Sequence, residues 1–120
     1  MKKFLIVFTI SFCVLFSSKI FAEGLSRGCY FTEPHRVCLN FSRIYYECWT
    51  GGQFMSPMPL YEDMVVEIIE KQFSNKSEAE KKCITKLYMG LCKIAWMDGA
   101  KGKPNISDKV NQICDRELGK

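Results

Sequence analysis

Seven cysteines in 120 residues constrain this chain more than any other feature, and what they can form depends on where the chain folds. The first, Cys13, sits in an N-terminal segment with its own logic. Lys2 and Lys3 precede an apolar run from Phe4 to Phe16, which gives way to small and polar residues ending in Phe21-Ala22. That order is the pattern of a secretory signal peptide. The apolar run is shorter than the roughly 18 to 20 residues a membrane span requires. Residues 1–22 are therefore expected to be removed on secretion, leaving one domain over 23–120 with no membrane span.

Cys29, Cys38, Cys48, Cys83, Cys92 and Cys114 then remain. An even number in an oxidising compartment predicts three disulfides and no free thiol. Zinc is the competing use, because His35 stands three residues before Cys38. But the chain has only one histidine and no paired Cys-x2-Cys knuckles, so neither a metal site nor another cofactor is expected.

Loss of the leader also changes the charge. Without Lys2, Lys3 and Lys19, 14 basic side chains face 13 acidic ones, a net charge of +1, which gives no reason to expect a nucleic-acid partner. Three of the four asparagines beyond residue 22, namely Asn40, Asn75 and Asn105, begin Asn-x-Ser triplets. These are N-glycosylation acceptors. They favour a eukaryotic secreted protein, with a bacterial periplasmic one as the alternative.

The apolar periodicity predicts an all-α fold, a small disulfide-stapled bundle of about four helices. Val37, Phe41, Ile44 and Cys48 recur at helical spacing over 34–49, with Arg36, Asn40, Arg43 and Glu47 as the parallel wet stripe, and Thr50-Gly51-Gly52 as the stop. Tyr61, Met64, Val65, Ile68, Ile69 and Phe73 predict a second helix, with Glu62 and Asp63 suiting its first turn. Ser77-Glu78-Ala79-Glu80 has the form of a capping box and opens a third helix, running to about 97. Ser107 caps a fourth with Val110, Ile113, Cys114 and Leu118 inward, closed by Gly119. The glycines and lysines of "DGAKGKPN" (98–105) form a turn rather than a phosphate loop, because Pro104 stands where Ser or Thr would be needed. No internal repeat is evident.

Helix geometry restricts the pairing of cysteines. Cys38 and Cys48, on one helix, lie about 15 Å apart and cannot bond. Cys83 and Cys92 face opposite sides of the third helix. If the last two helices form an antiparallel hairpin, Cys92 is level with Cys114, and the rest follows as Cys29–Cys38 and Cys48–Cys83.

Nothing points to a reaction. His35 and Ser42 could share a helix face but lack a third member, and Glu67 and Glu70 read as a solvated face. A binding role is the stronger class, because Tyr45, Tyr46, Trp49, Phe54, Met55 and Met58 concentrate aromatic and thioether side chains around one loop. The sequence thus leads to a secreted helical binding protein for an extracellular protein or small apolar ligand. The alternative is an inhibitor or toxin-like effector acting on an extracellular enzyme or membrane. A carrier requires an enclosed apolar pocket, whereas the others present apolar side chains outward.

Overall fold

The computed structural model describes residues 29–118; the expected signal peptide, Cys13 and the Gly119 stop lie outside the described residues. The fold is all-helical, with no strand among those residues. A single-turn α1 (Pro34–Cys38) is followed by α2 (Phe41–Gln53), α3 (Pro59–Gln72), α4 (Glu78–Ala100) and α5 (Ser107–Leu118). The 23-residue α4 is the spine, with α2 crossing it and α3 packed beside it, while α5 folds back onto α1 and α2.

The expected single helix over 34–49 is broken at Leu39-Asn40. Tyr88 Oη donates to Val37 O at 2.6 Å, occupying a carbonyl that a continuous helix would use for its own ladder. Asn40 turns inward instead of facing water: it is only 8% exposed, and its Nδ2 donates to Gln72 Oε1 at 2.9 Å and Tyr88 Oη at 3.1 Å. The wet-face placement predicted for Asn40 is therefore corrected. Asparagine favours such breaks because its amide competes with the helical backbone for partners.

Nor does α2 stop at Gly51-Gly52. It runs on to Gln53 because the missing side chains let neighbours in: a Cβ on Gly51 would strike the Tyr61 ring, and one on Gly52 the Trp96 carbonyl. Close packing offsets the roughly 1 kcal/mol that each glycine costs a helix. Half of the capping box forms as expected, Ser77 Oγ accepting from Glu80 N–H at 3.1 Å. The Glu80 carboxylate is diverted to the N-terminal segment, where it accepts from Thr32 N–H at 3.1 Å and Thr32 Oγ1 at 3.0 Å. At α5 the Asn105 side chain caps the first turn, with Oδ1 accepting from Ser107 N–H at 2.9 Å.

The core is built from Phe41, Ile44, Tyr45, Phe73, Ile84, Leu87, Tyr88 and Leu91, all fully buried or nearly so. Phe41 and Phe73 meet Tyr88 edge-on, with centroids 6.1 and 6.3 Å away, an arrangement the ring quadrupoles favour.

Three disulfides form, but none is a pair predicted above. Cys29 joins Cys83, Cys38 joins Cys114, and Cys48 joins Cys92, with Cα separations of 5.9, 5.5 and 5.2 Å. Cys83 and Cys92, both within α4, do not pair, as expected; Cys38 and Cys48 lie on separate helices, α1 and α2, and the expected hairpin does not form. Because α5 lies on α1 and α2 rather than along α4, Cys114 reaches Cys38 and leaves Cys92 to the α2 crossing. The N-terminal segment, drawn to α4 by Glu80, places Cys29 beside Cys83.

Candidate functional site

The six aromatic and methionine residues around the first loop separate into core and surface. Tyr45 belongs to the core: it is 0% exposed and its Oη donates to Asp98 Oδ2 at 3.1 Å. Burial, reinforced by the Asp98 charge, raises its pKa well above the usual phenol value. It cannot touch a ligand from outside, which corrects its inclusion among contact residues. Trp49 and Met58 are half-buried against the core. Tyr46, Phe54 and Met55 are exposed, the last two at 74% and 66%.

Phe54 and Met55 form the cap that ends α2. Ser56 N–H donates to Gly51 O at 2.8 Å and Met55 N–H to Gly52 O at 3.1 Å, the double bond pattern of a Schellman motif. That motif needs a left-handed residue where Met55 stands, and Met55 has φ 56°, the one positive value at a non-glycine among the described residues. The left-handed region costs a residue with a Cβ about 1–2 kcal/mol.

The end of α4 is built in the same way. Lys103 N–H donates to Asp98 O at 2.9 Å and Gly102 N–H to Gly99 O at 3.1 Å, with Gly102 left-handed at φ 73°. The two caps lie side by side and hold one another. Trp49 Nε1 donates to Lys103 O and Trp96 Nε1 to Ser56 O, both at 2.9 Å. Gly52 lies against the Trp96 carbonyl, and Gly99 against that of Trp49. The Cys48–Cys92 bridge fixes the crossing.

This reciprocity was written in the sequence and overlooked there. "WTGGQFMSP" (49–57) and "WMDGAKGKP" (96–104) both read Trp-x-x-Gly-x-x-x-x-Pro. Tryptophan reaches across, glycine permits the close approach, and proline ends the helical path. The difference is at the left-handed position, which is glycine in one cap and methionine in the other.

The remaining candidates are accounted for locally. His35 Nδ1 lies 3.0 Å from Asp115 Oδ1, whereas Ser42 donates through Oγ to Ser107 O, so His35 and Ser42 are not paired. Glu67 is held below the usual carboxylate range by a hydrogen bond from Lys71. Asn75 is exposed, and Asn105 uses only its Oδ1 in capping. No group of His, Cys, Asp or Glu among the described residues could hold a metal ion, and no described helix is long and apolar enough to cross a membrane.

An open groove of about 590 Å³ lies between α3 and α4, lined by Val66, Ile69, Glu70, Lys81, Lys82 and Lys86 among others. Its surface is largely apolar, but it is open to solvent and edged by charged side chains, unlike an enclosed ligand cavity. Comparison with protein-family models, with curated proteins and with solved structures found no match to this chain.

Proposed function

We propose that this chain is a secreted, disulfide-stapled helical protein that acts by binding, and that the tip formed by Phe54 and Met55 is its contact surface. The observation that carries this reading is Met55. A large apolar side chain stands out in water at a backbone position that favours glycine, while the matching position in the paired cap is Gly102. Strain retained where glycine would relieve it points to a use for the side chain. The rigid mounting supports the same reading, since an anchor already fixed by its cap and by the Trp96 hydrogen bond loses little entropy on binding.

Secretion is supported by the leader pattern and by three bridges, which persist in oxidising surroundings. Asn75 and Asn105 are the acceptors available to glycosylation, whereas the Asn40 amide nitrogen is already bonded. A small apolar cargo is the weaker reading, because the groove between α3 and α4 is open to solvent rather than enclosed. The outward display also suits an inhibitor or toxin-like effector, since both act through an exposed apolar surface.

A photocrosslinking residue placed at position 54, and in a second variant at 108, tests the reading in extracellular fluid and membranes of the producing organism. Adducts at position 54 alone are expected. Adducts at 108 with none at 54 would move the contact surface elsewhere.

A further inference from the structure

Resting on the reading that Phe54 and Met55 form the contact surface, we infer that its occupant is an anionic membrane interface, into which this tip inserts. The two caps stack three kinds of group in the order that a bilayer surface presents. At the apex, Phe54 and Met55 are exposed in a stretch, 49–60, that contains no charged residue. Beneath it lie Trp49 and Trp96, each half-buried with its indole N–H turned to a backbone carbonyl. Tryptophans of this kind, apolar with one polar edge, collect at the headgroup boundary.

Beside the apex, the α4 cap carries Lys101 and Lys103. The acidic residue of that cap, Asp98, is buried, accepts from Tyr45 and lies 3.9 Å from Lys103 Nζ, so the charge this cap displays outward is that of the exposed Lys101. Farther along the chain, Glu62 belongs to the first turn of α3, where the helix dipole favours it, and Asp63 follows it. Glu62 lines a groove with Lys86 and Lys93.

The identity of the cations favours lipid over protein. Lysine is depleted at the centre of protein interfaces, where arginine is enriched. Beside a membrane, a long lysine stem can lie along the acyl boundary while its ammonium stays with the headgroups. Charge complementarity with anionic lipid therefore accompanies the apolar apex. A single insertion of this size gives reversible attachment.

The oxidised protein recovered from secretion is titrated with vesicles of phosphatidylcholine alone and of phosphatidylcholine with about one-third phosphatidylserine. Co-sedimentation is one readout. The emission of the two tryptophans, both beneath the tip, is the other. Binding to the anionic vesicles with a blue shift is expected, and it should weaken as salt rises. Phe54→Ser should lower the partition coefficient about tenfold and Lys101→Gln about fivefold, while Glu67→Gln on α3 changes nothing. All variants share one N-terminal sequence, so any contribution from residues 4–16 cancels between them. Both substituted side chains are exposed, and the emission of the unbound variants checks that they fold.

Failure of the wild type to bind anionic vesicles, or binding that Phe54→Ser and Lys101→Gln leave unchanged, would overturn the proposal. A protein adduct at position 54 would then keep the contact surface and give it a protein occupant. If position 54 forms no adduct either, the contact-surface reading falls as well.

Discussion

Met55 and Gly102 occupy equivalent places after their helices, so conformational cost can be read at both with little else changing. Gly102 has nothing within 4 Å of where a Cβ would stand, and Met55 is largely in solvent. Met55→Gly is expected to stabilise the fold by about 0.5–1 kcal/mol, the relief of left-handed strain less the greater freedom of glycine when unfolded. Gly102→Ala is expected to cost about 1 kcal/mol by the same reasoning. Denaturant midpoints measure both; loss of stability in Met55→Gly would refute the cap geometry. Asn40 makes the opposite case, a sequence signal overridden by packing. In a glycosylating host, glycans are expected at Asn75 and Asn105 and none at Asn40. Ser42→Ala, which deletes the Asn40 acceptor, should leave the glycoforms unchanged by mass while lowering stability through loss of the bond to Ser107 O. Tyr45 and Tyr88 both have raised pKa values, with burial the first cause in each. A phenol kept neutral by the fold stabilises it fully below the unfolded value of about 10, and the contribution is lost as pH rises above that. Of the five tyrosines, spectrophotometric titration should find two that ionise only together with alkaline unfolding.

Among the elements, α3 alone of the four longer helices carries no cysteine. It is held to α4 by Val65, Ile68, Ile69 and the following Phe73, all buried, and to α1 by the Arg36 guanidinium, which donates to Gln72 O at 2.8 Å. Apolar contact without a covalent tie gives a unit free to open by itself. Amide exchange in α3 is therefore expected to proceed through a lower-energy opening than in α2 or α4, and equal protection in all three would show one cooperative unit. The positions of α3, α4 and α5 were legible from periodicity because each has one apolar face along its whole length. The break between α1 and α2 was not, since Leu39-Asn40 carries neither proline nor glycine and the interruption comes from Tyr88, 51 residues after Val37. The continuation through Gly51-Gly52 was hidden for the matching reason. Local propensity reads two glycines as a stop, and only the approach of α4 makes them necessary.

At the scale of the molecule, every bridge among the described residues joins the segment 29–48 to the segment 83–114. The sequence separations are 54, 76 and 44 residues, long enough that removing any one bridge is expected to cost about 2–5 kcal/mol. Paired Cys→Ala variants followed by chemical denaturation measure it. Peptide mapping of the unreduced protein, with cleavage after Lys86 separating Cys83 from Cys92, should give Cys29–Cys83, Cys38–Cys114 and Cys48–Cys92; recovery of Cys92–Cys114 would restore the hairpin. The amino-acid sequence by itself determined the helical class, the approximate span of α3, α4 and α5, the number of bridges and the loop where apolar side chains gather. Each of these follows from periodicity, parity or composition, which act along the chain. Which cysteines meet, which way Asn40 and Tyr45 face, and that two distant Trp-x-x-Gly-x-x-x-x-Pro stretches clasp each other were decided by the tertiary structure, because they depend on where α5 and α2 come to rest against α4, and that placement is set by packing between residues far apart in sequence.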